Sequence, residues 1–438
     1  MRLSKQIWNI KDNKSNFLLY LAFFLPILSG NGTTVANLIS LIELIILLYY
    51  FNSDKFWVLM PIYYIYYTPL ILIGSGIALY TVVSFIIIFK MFFFERYIKI
   101  TGNKDIIVLL MLLLFSAVVL CFWTDIWSGF ILAIQSLGMF YSVIKIRSNP
   151  RIKEDFKTSF ILLTLSGSLY GIINQNIKGI YEGQITLIQY GGRYSGTTSD
   201  PNYMAFFYCI SFCFLLFRKT KKTWLKRMGL VLLFFSTALT GSLTALITIV
   251  ITAVLYIIFA KEYNWKTKMI NVSLIFLATI GFIWFVFNPN IEIDFLDLYR
   301  LRILEKLQFI DVGNISDLTT GRTEYSGEYI KYLFDQNIMR ILFGGYQLNS
   351  SALMGEAFET IHFAAHNSYI DILMTNGLCG LIIIIISMIG KLIKHIKKWW
   401  LNKDLEELSN AIYLLIVAVF MMGLSMFPSP VYMFFLFF

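Results

Sequence analysis

The sequence predicts an all-α fold, a polytopic helical membrane protein, and three observations carry that prediction. Its 438 residues are 58% hydrophobic and only 14% charged, with a mean hydropathy of +0.71, a balance foreign to soluble domains. Uninterrupted apolar runs long enough to cross about 30 Å of hydrocarbon recur along the chain. The runs are continuous rather than alternating, which selects helices over a closed barrel, the two structures that satisfy every backbone group in lipid.

In chain order the predicted spans are 15–29, 35–51, 55–72, 74–94, 106–123, 128–146, 157–174, 202–217, 225–240, 242–260, 269–287, 368–390 and 410–426. That gives about 13 helices, within a range of 12 to 14, because the final apolar stretch 429–438 is too short to cross unaided. The first run follows a basic start but no small-residue cleavage site, so it reads as a retained span. Four regions follow: N-terminal transmembrane helices over 1–156, a transmembrane core with an outer loop over 157–287, a large partly helical extracytoplasmic loop over 288–367, and C-terminal transmembrane helices over 368–438.

The formal net charge of +10 does not indicate nucleic acid, because of where the charge falls. With the N-terminus in the cytoplasm, the predicted inner segments hold 28 of the 36 Lys and Arg, most densely in KKTWLKR and KITGNKD. This is the positive-inside pattern, and it fixes the expected orientation, with the N-terminus in the cytoplasm. Cys121, Cys209, Cys213 and Cys379 all fall in apolar spans, so neither a disulfide framework nor a metal knuckle is expected.

Two loops then land on the outer face, 175–201 with YGGRYSGTTSDPN and the long segment 288–367, together with the short connection TALTGS. A polar segment that long carries function or elements of its own. In DFLDLYRLRILEKLQFI, Leu296, Leu301, Leu304 and Leu307 stand at helical spacing against Arg300, Arg302 and Lys306, the pattern of an amphipathic surface helix. TTGRTEYSGEYIKYLF reads as a second helix with Thr320 as N-cap and Arg322 in its first turn, where free N–H groups, the helix dipole and a guanidinium make an anion site. FGGYQL, from Phe343, breaks that helix and turns the chain back.

Arg193 lies among Gly191, Gly192 and Gly196, which allow close backbone approach to a ligand, and a planar cation with five donors suits a diphosphate. The bland alternative is snorkelling to lipid headgroups or pairing with Asp200. His366 opens HNSYIDILMTNGLCG at the water–membrane boundary, where an imidazole can act as general base or simply satisfy an interface carbonyl. His362 and His366 are four apart, but no Glu of a zinc-hydrolase motif lies between them, so no metal is expected. Glu324 and Asp371 are the carboxylates nearest these cations, either orienting groups or solvated charges. Gly377 and Gly380 read as helix-packing residues.

In order and spacing, GRYSGTTSDPNYMA, TGRTEYSGEYIKYL and HNSYIDILMTNGLCGLI resemble the three signatures of the bacterial O-antigen ligase and O-antigen or capsular polysaccharide polymerase superfamily. The resemblance covers roughly residues 157 to 390. It implies a metal-independent and cofactor-free glycosyltransferase of the membrane, using undecaprenyl-diphosphate-linked oligosaccharides as donor and acceptor. A flippase and a chain-length regulator are the partners to expect, and nucleic acid is not. By matching motif position, the resemblance implies that Arg193 and Arg322 hold the diphosphate, that His366 activates the acceptor hydroxyl, and that Asn202, Glu324, Asn367 and Asp371 contribute to substrate binding. The chain lacks an Asp-x-Asp nucleotide-sugar signature, in keeping with a lipid donor. It departs from many ligase relatives at Gly241, Ser242 and Leu243, where they carry Ser-Arg, which favours polymerase over ligase. A lipid-linked oligosaccharide flippase or other transporter is the alternative from another class, but the spans are nearly free of charge and no inverted repeat is visible.

Overall fold

The computed structural model describes the chain apart from residues 1–12, 32, 71–77, 96–103, 177–195, 199, 221, 260–263, 289–299, 301–321 and 347–365. Among the described residues every regular element is a helix. The first is α1 (Asn13–Phe24), which runs through a 3-10 turn, Leu25–Asn31, into α2 (Thr33–Tyr49). The predicted span 55–72 is instead two short helices, α3 (Lys55–Val58) and α4 (Met60–Ile65), with Pro61 in the first turn of the second, the one helical position where its missing N–H is harmless. Then follow α5 (Leu79–Phe93), α6 (Lys104–Trp123), α7 (Ile126–Ser148), α8 (Pro150–Asn176), α9 (Pro201–Phe217), α10 (Thr223–Leu239), α11 (Leu243–Phe259) and α12 (Trp265–Phe287). Two helices come from the long polar segment, α13 (Arg322–Phe334) and α14 (Ile338–Phe343), and the chain closes with α15 (Ser368–Asn402), α16 (Leu405–Gly423) and α17 (Pro430–Phe437).

Among the described residues, five helices are long and apolar enough to cross a membrane by length and composition: Lys104–Trp123, Ile126–Ser148, Trp265–Phe285, Ser368–Asn402 and Leu405–Gly423. Shorter apolar helices accompany them, among them Pro201–Phe217 and Leu243–Phe259, whose 17 residues reach about 25 Å. The side chains of α12 are largely exposed, with Phe276 65% and Trp284 65% accessible, although the helix is strongly apolar.

The core is built around α9, whose side chains from Met204 to Phe217 are all buried. Its neighbours are α8, α10, α11 and α16. Polar residues in this core find partners across helices, as membrane interiors require. Ser168 Oγ lies 2.9 Å from both Tyr208 Oη and Ser236 Oγ, and Ser211 donates to Thr164 at 2.9 Å. The final apolar stretch packs inside the bundle. Val431, Met433, Phe434, Phe435 and Leu436 of α17 are each at most 1% exposed, inside a cluster where Phe434 lies 4.6 Å from Tyr64 and Phe435 lies 5.1 Å from Phe160. Edge-to-face and offset ring pairs of this kind add to the packing gain of burial.

The two ends of the bundle differ chemically. At one end the C-termini of α5, α7 and α15 meet the N-termini of α6, α8 and α16 in a belt of ion pairs. Asp105 takes Lys391 at 2.8 Å and Arg147 at 3.1 Å, while Glu407 takes Lys398 at 3.1 Å and His395 at 2.5 Å. Glu95 receives Lys90 and Lys145, and Lys153 reaches Glu406 at 3.5 Å. At the opposite end α6 turns into α7 at Asp125, whose carboxylate caps α7 by accepting from the Ser128 N–H at 2.7 Å. Those Ser128 hydrogen bonds hold the Asp125 carboxyl below the usual carboxylate range. This second end carries the starts of α9 and α15.

Candidate active site at the His366 end

His366 directly precedes α15, exposed and in the left-handed region at φ 47°. That conformation is uncommon for a residue with a Cβ, histidine being among the more tolerant, and it turns the incoming chain sharply into the helix. His366 is itself not helical, and His362 lies outside the described residues. Asn367 caps α15, its side-chain oxygen accepting from the Tyr369 N–H at 3.0 Å. Ser368 clamps a distant turn: its hydroxyl donates to Leu424 O at 2.6 Å and accepts from the Met426 N–H at 2.7 Å. One turn into the helix, Asp371 is 3% exposed.

The loop that contains Arg193 returns to the bundle next to this point. Arg193 lies outside the described residues, but the motif's last residues are firmly seated. Gly196, at φ 59°, packs on Met204, and Thr197 donates to Ile65 O at 2.5 Å. Asp200 caps α9 by accepting from the Asn202 N–H at 2.6 Å. Tyr203 then donates to Ser425 O at 2.7 Å, on the same turn that Ser368 holds, and stacks on Tyr432 with ring centroids 4.6 Å apart. The starts of α9 and α15 are therefore joined through residues 424–426.

Arg322 is the first described residue of α13 and Glu324 follows two residues on; the side chains of both lie outside the described set, as do the predicted N-cap Thr320 and, apart from Arg300, the predicted helix over 294–310. Further along, Tyr329 and Leu333 of α13, both fully buried, pack with Tyr346 against Ile370, Leu373 and Met374 in the first two turns of α15. Through residues 424–426 for α9 and by direct packing for α13, two of the motif-bearing helices thus adjoin the start of the third, α15.

A break in α15 completes this end. Gly377 sits at φ 66°, ψ −170°, a conformation essentially reserved for glycine. The turn after α14 fills the gap: the Gly345 N–H donates to Thr375 O at 2.8 Å and the Tyr346 N–H to Met374 O at 3.2 Å. The Trp123 indole donates to Gly345 O at 2.9 Å. Asn376 accepts from Ser116 at 3.3 Å and donates to Leu112 O at 3.2 Å, tying the break to α6. The sequence expectation for Gly377, close packing, is met, and the interruption of the helix is the addition.

Arg340 is a cation of this region that no sequence feature singles out. Its Nη1 donates to Gly345 O at 3.1 Å and its guanidinium lies 5.2 Å from the Tyr346 ring, so it serves the turn. The Gly241 turn between α10 and α11 has φ 65°, with Thr240 and Ser242 buried beside it. Among the described residues no group of His, Cys, Asp and Glu is arranged to hold a metal, and the four cysteines are free thiols. Comparison of the chain with protein-family models, with characterised proteins and with solved structures gives no match.

Proposed function

We propose that this protein polymerises surface polysaccharide repeat units, capsular or O-antigen, at the outer face of the bacterial cytoplasmic membrane. The hydroxyl of one lipid-linked unit attacks the anomeric carbon of a glycan carried on a second undecaprenyl diphosphate. The new glycosidic C–O bond forms as the anomeric C–O bond to phosphate breaks, and undecaprenyl diphosphate leaves with the electron pair. Arg193 and Arg322 stabilise the charge that builds on the bridging oxygen, the kind of contribution that is often the largest in catalysis. His366 accepts the hydroxyl proton, a step worth about 10² to 10⁴ in rate. Asn202, Glu324, Asn367 and Asp371 complete the substrate-binding set.

The observation that carries this reading is that α9, through residues 424–426, and α13, by packing, both adjoin the start of α15, since these helices lie in the motifs that hold Arg193, Arg322 and His366. An exposed histidine in a left-handed conformation beside that junction agrees with it. The belt of Lys and Arg at the opposite end agrees with an N-terminus in the cytoplasm, which would turn the His366 end outward.

Reconstitution with lipid-linked repeat units tests the proposal. Wild type is expected to extend them, and Arg193→Ala, Arg322→Ala and His366→Ala to lose at least about 10²-fold in rate while remaining folded. Wild-type rates in all three variants would reject the site. Ligation of finished glycan to a lipid, polymer or protein acceptor is the second reading. Loss of a polymerase leaves single repeats in the cell, whereas loss of a ligase leaves long carrier-bound chains.

A further inference from the structure

Cations at the belt end of the bundle fall into two groups. Lys90, Lys145, Arg147, Lys153, Lys391 and Lys398 are each matched by a carboxylate of the belt. The turn from α9 into α10 is different, because the ten residues RKTKKTWLKR, 218–227, hold six Lys and Arg and no Asp or Glu. Arg218 faces Asp155 on α8. Lys219, Lys222 and Arg227 are exposed and make no ion pair among the described residues. Packing holds the turn in place: Tyr256 of α11 meets Phe217 at the end of α9, with ring centroids 5.1 Å apart, and lies 5.6 Å from the Lys226 ammonium. Lys226 also donates to Arg218 O at 3.0 Å, closing the turn on itself. Phe259, at the end of α11, lies 4.9 Å from Trp399 of α15, so the turn belongs to the belt end.

We propose that the α9–α10 turn binds the phosphodiester headgroup of an anionic phospholipid through Lys219, Lys222 and Arg227. Charge calls for an anion, and the surroundings say which kind. Trp224, 61% exposed, stands between Lys222 and Arg227, with Leu225 and Met228 exposed beside it in the first turns of α10. A soluble anion would leave these apolar side chains in water, whereas a phospholipid covers them with its acyl chains. Indole rings settle at the headgroup level of a bilayer, their bodies in the apolar layer and their N–H groups toward water. Trp265, 71% exposed in the first turn of α12, lies at the same end, where Lys268 donates to Ile258 O at 2.7 Å and draws the start of α12 to the end of α11. The cations of the turn are thereby set at the depth of lipid phosphates. A run of four to eight Lys and Arg beside a membrane helix attracts anionic lipid, each cation contributing about fivefold in affinity. Orienting the chain needs only the number of positive charges, not a surface of this kind.

The proposal is independent of the polymerase reading, and its test uses no lipid-linked sugar. The full chain in detergent micelles is melted while dioleoylphosphatidylglycerol, dioleoylphosphatidylcholine or heparin is titrated in. Expected is a saturable rise in Tm of at least about 2 °C with phosphatidylglycerol over phosphatidylcholine, falling by about half or more between about 0.05 and about 0.5 M NaCl. Lys222→Gln combined with Arg227→Gln is expected to weaken the apparent affinity for phosphatidylglycerol at least about tenfold, with Tm in phosphatidylcholine as the folding control. Lys104→Gln combined with Lys331→Gln removes the same charge from exposed positions elsewhere and is expected to leave the affinity within about twofold of wild type. Lys222→Arg is expected to keep the response. Equal melting in the two lipids, or an equal loss in the two double variants, would overturn the assignment. A response to heparin with none to phosphatidylglycerol would also overturn it, giving the surface to a soluble polyanion.

Discussion

Replacing Gly377 by alanine probes the architecture of the candidate site at its most constrained point. A Cβ on Gly377 would fall 2.3 Å from both C and O of Leu342 and 2.4 Å from the Phe343 nitrogen. These are backbone atoms, so no rotamer change relieves the clash. The φ/ψ pair adds about 1–3 kcal/mol for any residue with a side chain. Relief requires the turn after α14 to withdraw, which breaks the two hydrogen bonds from Gly345 and Tyr346, each worth about 1 kcal/mol net. Together these give a destabilisation of about 3–5 kcal/mol. The assay is thermal unfolding in detergent followed by tryptophan fluorescence, since Trp123 is bonded to Gly345 and reports the withdrawal. Gly390→Ala is the control: nothing lies within 4 Å of its Cβ, and a helical alanine there should stabilise by up to about 1 kcal/mol. A Gly377→Ala protein that melts with wild type, with Trp123 undisturbed, would refute the argument.

Two further outcomes are expected. Ser368→Ala removes the donor to Leu424 O and the acceptor for the Met426 N–H, leaving two buried groups unsatisfied; a loss of about 1–3 kcal/mol and faster hydrogen exchange at Met426 should follow, and unchanged exchange would count against the clamp. Asp155, in the polar first turns of α8, has its carboxyl raised to about 6 by burial, against the opposing pull of Arg151 and Arg218. A raised acid binds its proton more tightly in the folded state, so it costs stability above about pH 6, and that cost fades as pH falls toward the ordinary carboxylate value. Asp155→Asn should therefore raise Tm at pH 7.5, by the equivalent of about 1 kcal/mol once its partial exposure is allowed for, with the gain shrinking toward pH 4. A gain independent of pH would show that the charge is not the cause.

Much of the helical architecture was legible because a continuous apolar run has one solution in lipid: the predicted 106–123 and 128–146 correspond to Lys104–Trp123 and Ile126–Ser148. What escaped depends on contacts distant in sequence. Gly377 reads the same whether it packs a helix or interrupts one, and only the backbone of α14 against it decides. The stretch 429–438 is too short to cross, and nothing local says that it folds inward among Tyr64, Phe160 and Phe206. At the candidate site, motif order brought Arg193, Arg322 and His366 to attention; α9 and α13 adjoin the start of α15, while Arg193 and the Arg322 side chain lie outside the described residues. The burial of Asp371 against Ser425 has no sequence signal, since the partner arrives 54 residues later on a turn fixed by Ser368 and Tyr203.

The central claim is that two guanidinium groups and one imidazole surround a carrier headgroup. An experimental structure of the protein bound to undecaprenyl diphosphate tests it most directly. The account expects the diphosphate within hydrogen-bonding reach of Arg193 and Arg322, with the His366 imidazole facing the acceptor side of the anomeric position. A diphosphate bound elsewhere, or Arg193 and Arg322 on opposite faces of the membrane, would contradict it.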